Sequence, residues 1–307
     1  MPAVARTPRA LTIAGSDSGG GAGIQADLKA FARCGVHGMS AITAITAQNT
    51  LGVSSVHAVP PETILAQVRA VVSDIGVDAV KVGMLGTVET VMAVAQALDE
   101  LPAGTPVVVD PVMVAESGSQ LLDPSAQGAL VGEILPRATI LTPNVPEARA
   151  LARHARANAS FGGEAQSGAS ALSEREASHT PSEEEEAETS ALAHTVLGLG
   201  PMIVVLTGGH RMQATDLFLD SNDPQRIVAI PGEMHPSGAA HGSGCTHSSV
   251  LAAQLALGRE PLQAAIAARS LAGEAVANGL GDVGEGPGPV DVIGLARLRL
   301  HHDTESR

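Results

Sequence analysis

Short apolar runs recur along this chain, and each opens through a polar or glycine-rich cluster into a helical segment. The runs cover 10–14, 36–46, 78–82, 106–109, 138–141 and 202–206. Helical spacing of apolar residues follows over 24–34, 61–72, 87–98, 126–135 and 145–152. Pro61 and Glu62 mark one helix start, and Gly35 marks one helix stop. Strands alternating with helices predict an α/β fold of three layers, a mainly parallel sheet covered on both faces. In such sheets ligands bind beyond the carboxyl ends of the strands. The clusters at 15–23, 48–50, 83–86, 110–111, 142–144 and 207–210 fall at those ends.

The last third differs. Runs 216–219 and 226–230 are joined by Ser221-Asn222-Asp223-Pro224, which predicts an antiparallel edge pair. Two helices follow, over 244–257 and 261–277, and 290–300 docks as a short final element. Residues 154–187 break the pattern. Within 151–190 stand eight Glu and three Arg, with little apolar period. Such a stretch cannot repay the entropy of ordering, which predicts an acidic, disordered insertion. The reading is one domain over 10–298, with flexible termini at 1–9 and 299–307.

Composition excludes several functions. The net charge of −14 repels a nucleic-acid backbone. With three Phe and no Tyr or Trp there is no aromatic shelf for stacked bases. No apolar run reaches membrane-span length, and the first ten residues lack the apolar block of a secretory signal. Two cysteines, Cys34 and Cys245, make neither a disulfide framework nor a metal-ligand spacing. These features point to a cytoplasmic protein that acts on a small molecule.

His241-Gly242-Ser243-Gly244-Cys245-Thr246 leads straight into the helix over 244–257. Free amides and the positive end of a helix dipole make such a junction an anion site. Gly242, Ser243, Gly244 and Cys245 are therefore candidates to hold a phosphoryl group. A thiol in the first turn loses its proton more easily than in water, which makes Cys245 a candidate base. The competing reading is a small buried hydrophobe beside an ordinary turn.

The clusters form an ordered set. Gly15-Ser16-Asp17-Ser18-Gly19-Gly20-Gly21-Ala22-Gly23 is followed by Thr46-Ala47-Gln48-Asn49, Lys81-Val82-Gly83-Met84, Asp110-Pro111-Val112-Met113, Asn144-Val145-Pro146-Glu147 and Gly242-Ser243-Gly244-Cys245-Thr246. Together these resemble the hydroxymethylpyrimidine/phosphomethylpyrimidine kinases of thiamine biosynthesis, within the ribokinase-like superfamily. The resemblance covers about 10–152 and 195–295. It implies a ribokinase-like fold, ATP and Mg²⁺, a homodimer, and two successive phosphorylations. The acceptors are 4-amino-5-hydroxymethyl-2-methylpyrimidine and then its monophosphate.

The resemblance places Gly15, Gln48, Asp27 and Met84 around the pyrimidine. An amide such as Gln48 matches the donor–acceptor edge of a 4-aminopyrimidine, as Gln or Asn matches adenine. The alternatives are a Gln48 amide bonded to loop backbone, a Met84 that fills core, and an Asp27 solvated in a first helical turn. Asn144, Thr207, Gly208 and Arg269 are placed at the nucleotide, or, for Thr207 and Gly208, in a plain turn. Asp110 and Glu147 are placed near Mg²⁺, Glu147 acting through water. Its alternative is an acid in a helix's first turn.

Several positions depart from the family pattern. Thr207 and Arg269 stand where many relatives carry Lys, Glu116 stands where many carry Lys or Thr, and 236–240 lacks a common Lys-Asn pair. Fewer lysines weaken charge neutralisation at the phosphates. Pyridoxal or pyridoxine kinase is the nearest rival, and a ligand-binding regulator on the same scaffold is the other. A dinucleotide-dependent dehydrogenase fits poorly, because no acidic residue closes a second strand at the required offset.

Overall fold

A computed structural model describes residues 6–160, 183–208, 214–235, 239–295 and 297–298. Strands β1 (Arg9–Asp17), β2 (His37–Asn49), β3 (Gly52–Ala58), β4 (Ala79–Val82), β5 (Val107–Val109), β6 (Ile140–Leu141), β7 (Ile203–Leu206), β8 (Asp216–Asp220) and β9 (Ile227–Ile230) form one sheet. Its order is β3-β2-β1-β4-β5-β6-β7-β8-β9. All pairings from β2 to β7 are parallel, and β3, β8 and β9 pair antiparallel.

The helices are α1 (Gly23–Arg33), α2 (Pro61–Asp74), α3 (Val88–Asp99), α4 (Ala126–Ala129), α5 (Val145–Ser160), α6 (Glu183–Leu197), α7 (Ser243–Ala256) and α8 (Pro261–Ala277). Strand residues alternate between two apolar cores, as the period of two requires. Leu11, Ile13, Val80, Val82, Val107, Val109, Val204 and Leu206 join Ile64, Val68, Val91, Val94, Leu151 and Val196 from α2, α3, α5 and α6. Ala10, Val108, Ile140, Ile203 and Val205 join Phe31, Val250, Leu251, Ala264 and Ala268 from α1, α7 and α8. That makes three layers, with helices on both faces.

The antiparallel pair at 216–230 forms as predicted. At the other edge the predicted strand 36–46 runs on to Asn49 and turns back as β3, a strand that the sequence pattern does not predict. Most of β3 is exposed, so its sequence carries little apolar alternation. The helix predicted over 126–135 forms as α4 followed by a π-helical turn, Leu130–Ile134, and a 3₁₀ turn, Leu135–Arg137.

Within the acidic stretch, α5 continues to Ser160 and α6 starts at Glu183. Leu151 on one side and Ala193 and Val196 on the other tie these helices to the core. Residues 161–182, and the termini 1–5 and 299–307, lie outside the described residues. No helix among the described residues is long and apolar enough to cross a membrane.

Candidate active site

The carboxyl ends of the strands open into a cavity of about 330 Å³. Gly15, Gln48, Met84, Asp110, Asn144, Glu147, Thr207, Gly242, Ser243, Gly244, Cys245 and Arg269 all line it. Loops separated by up to 230 residues of sequence therefore meet as predicted. Asp27 and Gly208 do not line it. Gly209 and His210, beside Thr207, lie outside the described residues, as do Pro236, Ser237 and Gly238.

At the start of α7, Gly242 caps the helix with φ +83°. Among the described residues the Gly242, Gly244 and Cys245 amides have no backbone partner, whereas the Ser243 amide donates to the Ala240 carbonyl at 3.0 Å. The cradle therefore offers three amides rather than the predicted four. A turn that tight needs one of its own donors to close.

The first glycine-rich loop has a different role. Its amides already face an anion, the carboxylate of Asp17. Gly19 and Ala22 donate to it at 2.8 Å and Gly21 at 3.0 Å. His241 Nε2 lies 3.2 Å from the same carboxylate. Burial would raise the Asp17 pKa, but the His241 and amide hydrogen bonds outweigh it and hold the group below its ordinary value. Asp17 and His241 thus join the two glycine loops. Gly21 packs so closely on the His241 ring that a Cβ would stand 2.3 Å from it.

Beneath the cavity floor lies a charge network centred on Lys81. On β4 this residue faces the α1/α7 side, in register with Thr12 of β1. Its ammonium is fully buried and lies 2.9 and 3.1 Å from the Asp27 carboxylate. Thr12 and Ser249 each donate to Asp27 at 2.6 Å. Asp27 therefore does not bind substrate directly, as the resemblance implied. It is sealed behind the wall as the counter-ion of Lys81. Lys81 itself reaches the cavity wall and lies 3.9 Å from Asp110. Burial opposes its charge, but the Asp27 and Asp110 carboxylates keep it protonated.

Cys245 sits within this field. The Gly23 amide donates to its sulfur, and Lys81 favours the thiolate. Burial dominates, and Asp110 and Asp27 add to it, pushing the thiol up to about 12. The resting site therefore holds a neutral thiol. The predicted ease of deprotonation considered only the helix end, and the surrounding carboxylates and desolvation reverse it.

Asn144 and Glu147 form a reciprocal capping box at α5. The Asn144 amide donates to Glu147 at 2.9 Å, and the Glu147 amide donates to Asn144 Oδ1 at 2.8 Å. Glu147 still faces the cavity. Burial, and then the Asp110 carboxylate, push it up to about 8. Burial also raises Asp110, against Lys81 and a 2.9 Å hydrogen bond from Ser248. Two carboxylates crowd one volume and resist ionising together, which is a donor set that fits a divalent cation. Among the described residues no cluster of three or more His, Cys, Asp or Glu adds further ligands. Thr207 forms a backbone bridge to Asn144, and Arg269 enters the cavity from α8. Gly208 instead donates its amide to Asp216 at 3.0 Å and packs against Thr215.

Gln48 follows Thr46 on the same face of β2, and both line the cavity, with an irregularity in the β3 pairing after Ala47. Its Oε1 lies 3.1 Å from Thr46 Oγ1, whose proton is shared with the Ser16 carbonyl at 2.9 Å. Met84 is held through its carbonyl by Thr43 at 2.7 Å, and its sulfur would touch any side chain at Gly15. Sequence reasoning did not assign roles to Lys81, Asp17, His241, His247 or Ser248. A lysine inside the apolar run Ala79-Val80-Lys81-Val82 was the one visible cue.

The family model described as phosphomethylpyrimidine kinase matches residues 17–180 and 169–291. A hydroxymethylpyrimidine/phosphomethylpyrimidine kinase from Rhizobium meliloti is 43% identical over 288 residues, covering 92% of this chain and 96% of that one. Among solved structures, a phosphomethylpyrimidine kinase from Clostridium difficile is similar with a TM-score of 0.67 and 36% identity, over 87% of this chain and 99% of that one. A pyridoxal kinase from Staphylococcus aureus in complex with ADP is similar with a TM-score of 0.76 and 31% identity, over 95% and 96%. On sequence, fold and the convergence of its motifs upon one cavity, the chain belongs to the phosphomethylpyrimidine kinase family.

Proposed function

We infer that this protein phosphorylates 4-amino-5-hydroxymethyl-2-methylpyrimidine on its hydroxymethyl oxygen, and then phosphorylates the monophosphate to the diphosphate, in thiamine biosynthesis. The observation that carries this reading is Gln48 and the Cys245 turn on the walls of one cavity. Gln48 meets the aminopyrimidine edge, its oxygen accepting from the exocyclic amine and its amide donating to the ring nitrogen. Met84 covers a ring face. The free amides of the α7 turn hold the transferring phosphoryl group, and Arg269 and Asn144 hold the nucleotide. Phosphoryl transfer asks mainly for alignment and charge stabilisation, which fixed amides and a buried ammonium supply. Asp110 and Glu147 would hold Mg²⁺, which when bound neutralises phosphate charge. Two unpaired cysteines suit a cytoplasmic location, and the open edge at β3, with Leu51 and Val56 exposed, suits a homodimer.

Purified protein with ATP–Mg²⁺ and three acceptors tests the reading: the pyrimidine alcohol, its monophosphate, and pyridoxal. Turnover of both pyrimidines is the expected result. The pyridoxal kinases among similar structures make pyridoxal the second reading, and turnover of pyridoxal alone would establish it. Binding without turnover of any acceptor would make the chain a regulator. Gln48→Leu should raise KM for the pyrimidine alcohol by about tenfold, the loss of a paired hydrogen bond at roughly 1.4 kcal/mol. It should leave KM for ATP unchanged, and an equal rise in both constants would remove Gln48 from the acceptor site.

A neutral Cys245 thiol makes a poor base for the alcohol and is unneeded for an ionised phosphate acceptor. Its contribution is then positional in both steps. Cys245→Ala should lower kcat for the two acceptors to a similar extent, within about threefold of each other. A loss concentrated in the first step by tenfold or more would restore the base.

A further inference from the structure

Three histidines line the cavity among the described residues, and nothing in the proposed reaction uses His247. His247 stands one turn after Ser243 on α7, is only 4% exposed, and lines the cavity. Its Nε2 lies 3.0 Å from Asp216 Oδ2. That contact is one of distance and charge only: neither ring nitrogen of His247, nor Asp216 Oδ2, has a hydrogen-bond partner among the described residues. Asp216, at the start of β8, is fully buried, and its other oxygen takes the Gly208 amide. Gly208 follows Thr207 at the end of β7, so Asp216 links the end of that strand to the imidazole. A buried polar atom without a partner costs free energy unless a ligand completes it.

We propose that His247, oriented by Asp216, is a nucleotide-binding residue whose Nδ1 hydrogen-bonds the polyphosphate chain. This rests on the kinase reading of the same cavity. Thr207, the α7 cradle and His247 all line the one cavity that must hold the polyphosphate. With Asp216 facing Nε2, Nδ1–H is the ring donor left for a phosphate oxygen. This is the chemistry that a lysine at position 207 would otherwise supply. Asp216 therefore acts as a positioning residue and His247 makes the contact.

Calorimetric titration with AMP-PCP and with AMP, both with Mg²⁺, tests this on the intact chain. A hydrogen bond to a charged group is worth about 1.5–3 kcal/mol, or roughly 10- to 100-fold in Kd. His247→Leu should therefore weaken AMP-PCP at least tenfold and AMP less than twofold, and leave the Kd of the pyrimidine alcohol unchanged. His247→Asn places an amide donor where Nδ1 stands and should stay within about threefold of the parent for AMP-PCP. Asp216→Asn keeps an acceptor for Gly208 and loosens the imidazole. It should weaken AMP-PCP by about three- to tenfold, and it carries the test should His247→Leu fail to fold. AMP-PCP binding within twofold of the parent in both His247→Leu and Asp216→Asn overturns the proposal. So does an equal weakening of AMP and AMP-PCP, which would put the contact on the adenosine. The acceptor panel above reports independently on the reaction. An unaltered chain that fails to bind AMP-PCP would sink the kinase reading, and this proposal with it.

Discussion

Lys81→Met should lower the free energy of unfolding by about 3–5 kcal/mol, as breaking a buried ion pair from one side does. The reason is what remains behind. Asp27 is fully buried, and no water replaces the ammonium now 2.9 Å away. Thr12 and Ser249 still donate to it, but two hydroxyls do not neutralise a charge. The double variant Lys81→Met with Asp27→Asn removes both charges and should recover more than half of the loss. An exposed pair provides the contrast. Arg69 and Glu100 lie on the surface, where solvent and salt screen such contacts, so Arg69→Ala should leave the unfolding midpoint close to that of the parent. Urea unfolding followed by circular dichroism reads all three. A Lys81→Met loss under 1 kcal/mol would mean that water enters the network, and Lys81 could not then serve as a preorganised charge.

Several of these features were legible before the fold was known, because local rules govern them. The capping box at Asn144 and Glu147 follows from residue type at a spacing of three. The β8–β9 pair follows from the turn at 221–224. Gly35 and Gly258 stop their helices with φ +73° and +78°, as glycines at helix ends do. What escaped depends on partners distant in sequence. An aspartate two residues ahead of a glycine-rich loop does not announce that it will fill that loop, yet Asp17 does. Asp27 reads locally as a helix-end charge and becomes a buried counter-ion because β4 brings Lys81 beside it. Cys245 reads as an activated thiol from its helix position alone, and becomes a neutral one because the fold buries it and sets Asp110 and Asp27 around it. β3 escaped for the opposite reason: an edge strand mostly exposed to solvent keeps little of the apolar pattern that marks buried strands.

Gly242→Ala should reduce kcat by about 10³-fold with both acceptors, while KM for the pyrimidine alcohol stays within threefold. Two separate effects act at this position. At φ +83° a Cβ costs roughly 1–2 kcal/mol in backbone strain. It would also stand 1.8 Å from the Gly21 carbonyl oxygen, so one of the two loops must move. The Gly21 loop cannot yield easily, because Asp17 holds its amides on one side and Lys29 holds the Gly20 carbonyl at 2.7 Å on the other. The α7 turn therefore shifts, and with it the three amides aimed into the cavity. Loss of one preorganised donor costs about 10²–10³ in kcat, and a displaced turn misplaces several at once. Gly258→Ala separates strain from collision. It shares the left-handed backbone, at φ +78°, but a Cβ there meets nothing within 4 Å. That variant should lose about 1 kcal/mol of stability and keep its kcat. Circular dichroism must show both variants folded. If Gly242→Ala kept kcat within tenfold of the parent, the α7 amides could not be what holds the phosphoryl group. If both variants lost activity alike, backbone strain alone would be responsible, and the interlocked glycine loops would have no part in catalysis.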